Sequence, residues 1–140
     1  MINDLIHSNF TFADFTVVNM GGFRTEWLPG IILEQHLYNM FPFENTLKSF
    51  NISGSELLKT LEILQSGDKG LYQFYGIQTV VEKTASGRFK YVSASMSDGS
   101  QIDPSRYYTG IATDFLLNGG DDFKNVMGKV YTLRDARVLG

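Results

Sequence analysis

The stretch Ser53-Gly54-Ser55-Glu56 sets a hydroxyl residue three positions ahead of a glutamate, and Leu57, Leu58, Leu61 and Leu64 follow it. A serine at that place accepts a hydrogen bond from the amide three residues on, and the glutamate side chain reaches back, so amides that would otherwise lack partners are satisfied. Leucines three and four apart line one face of a helix, and Ser66-Gly67 stops the pattern. Such a helix is stable only when its apolar face lies on another element. The preceding run, Thr46 to Ile52, sets Leu47, Ser49 and Asn51 against Lys48, Phe50 and Ile52 and reads as a strand. A strand feeding directly into a one-faced helix constrains the chain to a helix packed on a sheet.

The remaining segments fit that frame. Met1 to Phe10 reads as the tail of a helix without a convincing start, as expected of a chain cut from something longer. Asp14 to Asn19 carries the β-branched run Thr16-Val17-Val18 and ends at Gly21-Gly22, a strand running into a turn. Pro29-Gly30 marks another turn, and Ile31 to Met40 has a short helical pattern that stops at Phe41-Pro42. Gly76 to Glu82 and Phe89 to Ala94 form a hairpin around Ser86-Gly87, and Tyr107 to Thr113 is a further strand after turns at Asp98-Gly99 and Asp103-Pro104. Phe123 to Gly140 fits neither period clearly. Helices and strands interleave without a βαβ rhythm, which predicts one α+β domain over 1–140 with a mixed sheet packed by helices.

Composition excludes several functions. Formal net charge is −3, and the 12 Lys and Arg are scattered rather than striped, so the footprint of a protein that binds polymeric nucleic acid is missing. There is no cysteine, hence no disulfide, thiol nucleophile or thiolate zinc site. No apolar run is long enough to span a bilayer, and the start has neither a basic nor an apolar leader segment. The expectation is a soluble chain without membrane contact, any signal sequence lying outside it. His7 and His36 each stand alone without metal-ligand spacing and read as helix-face residues, so no metal site is expected in this chain. No Ser-His-Asp set is apparent, and no catalytic carboxylate pair can be picked by spacing. The chain carries binding chemistry without bond-breaking chemistry, and no catalytic residue is assigned.

The binding candidates fall in three segments. Phe43 lies in Pro42-Phe43-Glu44-Asn45-Thr46, and Phe115 opens Phe115-Leu116-Leu117-Asn118-Gly119-Gly120-Asp121-Asp122-Phe123, read as a loop rich in glycine and amide groups. Two rings brought together by folding would make a slot for a planar heterocycle such as a nucleobase. Asn118 has the donor and acceptor to read a base edge, and Asp121 can accept from ribose hydroxyls. In Asn19-Met20-Gly21-Gly22-Phe23-Arg24 a guanidinium follows a tight turn, and its fork matches phosphate. Each feature has a plainer reading: the glycines as a turn, the rings among 11 phenylalanines as core, and Asp121 as a turn cap. The glycines belong to neither a Walker loop nor a dinucleotide fingerprint.

Taken in order, these three segments, with Ile52-Ser53-Gly54-Ser55-Glu56-Leu57 and Asp103-Pro104-Ser105-Arg106-Tyr107-Tyr108-Thr109 between them, resemble the C-terminal domain of the 5′-nucleotidase family. The resemblance runs from about Asp4 to Phe123. It implies a two-domain, metal-dependent phosphohydrolase that converts nucleoside monophosphate to nucleoside and phosphate. A separate N-terminal calcineurin-like metallophosphatase domain would hold two divalent, zinc-type ions, and this chain would hold no cofactor and be inactive alone. By the same resemblance Phe43 and Phe115 clamp the base, Asn118 contacts it, Asp121 binds ribose, and Asn19 and Arg24 face the sugar and phosphate. Domain rotation would carry the nucleotide to the metals. Periplasmic, secreted or cell-surface placement is the corresponding expectation.

Two residues depart from the family pattern. Glu44 and Asp122 stand where glycine is usual, and each sets a carboxylate beside the proposed slot. A second phosphate-binding arginine, expected upstream of the motif helix, is missing from this chain. The departures suit a module that has lost nucleotide binding and serves interaction or structure. Cyclic-nucleotide phosphodiesterases, UDP-sugar hydrolases and thiosulfate-oxidising relatives share the same domain, and the motifs do not separate them from a 5′-nucleotidase.

Overall fold

The computed structural model describes residues 8–19, 30–31, 33–35, 45–66, 72–118 and 133–135. Among these, the elements run β1 (Phe15–Asn19), β2 (Leu47–Ser53), α1 (Gly54–Leu64), β3 (Tyr72–Tyr75), β4 (Ile77–Lys83), β5 (Phe89–Met96), β6 (Tyr107–Thr113), α2 (Asp114–Leu117) and β7 (Leu133–Asp135). Five strands form one sheet in the order β3-β1-β6-β2-β7, and β4 pairs with β5 in a second, two-stranded sheet. Among the described residues only β1 and β6 run parallel, while β3 on β1, β2 on β6 and β7 on β2 are antiparallel. The mixed sheet and the α+β class are as the sequence led one to expect.

The main core lies between the sheet and α1. Leu57, Leu61 and Leu64 of the helix are buried against Phe15, Val17, Phe50, Ile52, Tyr108 and Ala112 from the strands. The rings of Phe15 and Phe50 meet edge to face, 5.8 Å between centroids, directly over Gly110. A Cβ at Gly110 would come within 2.6 Å of both rings, so the missing side chain makes room for the aromatic pair. The opposite sheet face is covered by Phe10 and Ala13, which pack with Ile111 and Leu47. Burying both faces explains why β1 is buried at four consecutive positions, Thr16 included, rather than at alternate ones.

The capping motif forms at the start of α1, where the Glu56 amide donates to Ser53 Oγ at 3.3 Å. The Glu56 carboxylate, however, accepts from the Ser53 hydroxyl at 3.2 Å. Two further amides of the first turn donate to backbone carbonyls, Gly54 to Arg106 at 2.7 Å and Ser55 to Pro104 at 3.1 Å. A side chain on Gly54 would collide with the Asp103 carbonyl. Two of the matching segments are therefore a lock between helix and turn.

Several boundaries differ from the sequence reading. The hairpin is present and turns through Gly87 at φ +82°, but its strands run one or two residues further, and a register shift falls between Val80 and Val81. Tyr72–Tyr75 is a strand the reading did not assign; its Tyr72 is buried and its Phe74 packs on the core beside Phe15. The last segment contributes β7 on the outer side of β2. Of the expected first helix, Ser8 and Asn9 are helical and Phe10 is not; of Ile31 to Met40, Glu34 and Gln35 are helical and Ile31 and Leu33 are not; residues 1–7, 32 and 36–40 lie outside the described residues.

Candidate functional site

Strand directions decide where the candidate segments meet. Because β1 runs parallel to β6 and β2 antiparallel to it, the end of β1, the end of β6 and the beginning of β2 lie at one end of the sheet. Leu47 is opposite Thr113, the last pair of the β2–β6 ladder. Thr16 is level with Ile111, and the same parallel register carried three residues further sets Asn19 level with Asp114. Three stretches of chain singled out in the sequence are thus joined to the sheet at the same end. Asn19 is half-buried there.

Immediately beyond β6 the chain does not enter a loop, as the sequence reading had it, but makes the single turn of α2. Thr113 caps that turn, its hydroxyl accepting from the Leu116 amide at 3.5 Å. Leu116 and Leu117 are buried in the main core, and this anchoring turns Phe115 outward, 44% exposed. Asn118 closes the turn and is exposed, with a right-handed backbone at φ −83°. Its amide donates to the Asp114 carbonyl at 2.9 Å.

Asp114 connects this turn to β2. Its amide donates to the Thr46 carbonyl at 2.9 Å, and its carboxylate oxygen Oδ1 accepts from the Thr46 amide at 3.1 Å and from the Phe115 amide at 2.9 Å. Sequence reasoning missed both residues. The detectable signal was the Thr113-Asp114 pair, a capping residue followed by a carboxylate in the first turn.

Of the six predicted site residues the structure places Asn19, Phe115 and Asn118 at one end of the sheet. Arg24, Phe43 and Asp121 lie outside the described residues, as do Glu44, Asp122, His7 and His36. Among the described residues no group of three or more His, Asp or Glu side chains comes close enough to hold a metal ion. The carboxyls held below their ordinary range belong to turns away from α2: Asp103 by hydrogen bonds from the Ser105 hydroxyl and amide, and Asp98 by the same pair of bonds from Ser100. On β5, burial, reinforced by the charge of Glu62, pushes the Tyr91 hydroxyl above its usual value.

Comparison with known proteins shows what the chain is similar to as a whole. The sequence model described as "5′-nucleotidase, C-terminal domain" matches residues 1–128. An apyrase from Tabanus yao is 31% identical over 76% of this chain and 22% of its own length. A 5′-nucleotidase from Vibrio cholerae is 31% identical over 96% of this chain and 25% of its own. The crystal structure of a 5′-nucleotidase precursor from Thermus thermophilus superposes with a TM-score of 0.76 at 24% identity, covering 96% of this chain and 28% of that one, and shares the fold. The chain spans about a quarter of the length of these relatives.

Proposed function

Because this chain belongs to the 5′-nucleotidase C-terminal domain family, we propose that it is the nucleotide-recognition domain of a metal-dependent 5′-nucleotidase-type phosphohydrolase. The observation that carries the reading is the exposed Phe115 ring on a buried two-leucine anchor, at the sheet end where the Asn19 and Thr46 segments arrive. A ring held out by its own backbone turn, instead of folded into the core, suits stacking on a flat heterocycle, with about 1–3 kcal/mol expected per stacked base. In this reading Phe43 supplies the second ring, Asn118 contacts the base edge, Asp121 takes the ribose hydroxyls, and Asn19 and Arg24 face the sugar and phosphate.

The chain's task is binding and orientation. The described residues do not suit a metal centre, and no step is assigned to one here. The reaction class, nucleoside monophosphate to nucleoside and phosphate, belongs to the full-length protein. Its N-terminal metallophosphatase domain would carry two zinc-type divalent ions that activate water. We place that protein outside the cytoplasm, in a periplasm, secreted or at a cell surface, and cell fractionation checks the placement. Titration calorimetry of the chain with adenosine and with AMP tests the binding role. Weak binding that falls on Phe115→Ala is expected, whereas equal heats for the two proteins, or none for the wild type, would overturn it.

A further inference from the structure

Asp114 uses all its hydrogen-bonding groups except one carboxylate oxygen within a stretch of chain that includes two of the candidate binding residues. Its amide is on the Thr46 carbonyl and its carbonyl takes the Asn118 amide, each at 2.9 Å. Its Oδ1 is shared between the amides of Thr46 and Phe115, at 3.1 and 2.9 Å. The backbone pair continues the β2–β6 ladder by one step and would exist with any residue at this position. The two side-chain bonds would not. They tie the second amide of α2, that of Phe115, to the entry of β2 through one carboxylate oxygen, and a bond to an ionised acceptor is roughly twice as strong as a neutral one.

We propose that Asp114 is a positioning residue for base recognition: its carboxylate fixes the angle at which α2 leaves β6, and so where the Phe115 ring stands relative to the strand that follows Phe43. The inference rests on the binding role assigned to Phe115 above. Thr46 enters β2, so one oxygen ties the Phe115 amide to the start of that strand. A stacking slot tolerates little error in spacing, because a misplaced platform loses contact over the whole ring at once. Oδ1 is turned to backbone amides, so the bonds a substitution removes are ones that hold the chain in place.

The test compares Asp114→Ala with Asp114→Asn, which keeps an acceptor at Oδ1, by calorimetry of the full chain against adenosine and against ribose 5-phosphate. The alanine variant is expected to lose about tenfold in adenosine affinity while ribose 5-phosphate stays within about twofold, and the asparagine variant to recover most of the loss. In the NMR spectrum the Thr46 amide proton moves upfield in the alanine variant and returns in the asparagine one. Should the alanine variant melt below the assay temperature, Asp114→Glu, which displaces the oxygens by one methylene, is expected to give the same ligand split. Unchanged adenosine affinity with wild-type binding intact, or equal losses for both ligands, overturns the positioning role alone. No adenosine binding by the wild type overturns the recognition reading and this inference with it.

Discussion

The two ends of β6 are built from the same materials and finished in opposite ways. At its beginning, Asp14 accepts from the Thr109 amide at 2.8 Å and pairs with Arg106 at 3.2 Å, and Arg106 also lies 4.8 Å from the Tyr108 ring centroid. The Tyr108 hydroxyl accepts from the Asp103 amide, and the turn it holds takes the first amides of α1. At its end another aspartate, Asp114, ties β6 to the entry of β2, but the next residue is a ring left 44% exposed. Each end uses a carboxylate to join neighbouring chain segments to β6. The first end spends its donors and acceptors on the fold, although Tyr107 there is 58% exposed, and the second sets an exposed ring on a buried two-leucine anchor. Segments that match one family thus divide into those that hold the fold and those that present a surface.

The sharpest way to break the closed end is Gly54→Ala. The new methyl would meet the Asp103 carbonyl, and the atoms it meets are all backbone, so relief requires moving α1 off its turn. A loss of about 3 kcal/mol or more is expected, at the upper end for single substitutions, and a urea melt measures it. A loss below about 1 kcal/mol would show that the turn is compliant and the end only loosely closed.

Asp14→Ala attacks the same end more gently. It removes a part-buried acceptor from the Thr109 amide and one partner of an ion pair whose side chains are 60% and 27% exposed. The exposed pair contributes little, so the expected cost of about 1–2 kcal/mol comes from the amide left without its carboxylate. Adenosine binding should persist, since Asp14 lies at the other end from Phe115. If Asp14→Ala abolished binding while the fold stayed intact, the two ends would not be independent.

Phe115→Ala is the mirror experiment. Because the ring is half out of the core while Leu116 and Leu117 hold the turn, the melt should shift little, and adenosine affinity should fall about tenfold. A large stability loss with unchanged binding would move Phe115 to the core side of the comparison.

How much of this was legible in the sequence follows the same division. α1 and the strand before it were readable because a capping residue and a leucine period are local signals, and Ser53 and Glu56 meet as their spacing implied. Tyr72–Tyr75 was not, because four residues hold too little period and its strand state comes from pairing with β1. Phe115 was read as a loop residue, since a single turn of helix has no recurrence to detect and is held by two leucines and a cap. The convergence of Asn19, Thr46 and Phe115 was implied by the family resemblance alone, for another reason. It depends on the parallel pairing of β1 with β6, a contact between residues about 95 apart that composition and spacing do not encode.

The smallest effect expected is a pH dependence at the closed end. Hydrogen bonds from the Ser105 hydroxyl at 2.7 Å and its amide at 2.8 Å hold the Asp103 carboxyl below its ordinary value of 3.8. A carboxyl that gives up its proton more readily when folded than when unfolded favours the folded state above the unfolded value. That contribution is lost as pH falls through the lower folded value. Ser105→Ala removes the hydroxyl, the larger cause, and keeps the amide, so the folded value should move back towards 3.8. Wild type and variant should then differ in melting temperature at pH 6 and converge as pH falls through the lowered folded value of Asp103. Because the same turn receives the first amides of α1, a difference that grew on acidification would mean that Ser105 acts by shaping the turn rather than through the charge of Asp103, and the lock would then rest on backbone contacts alone.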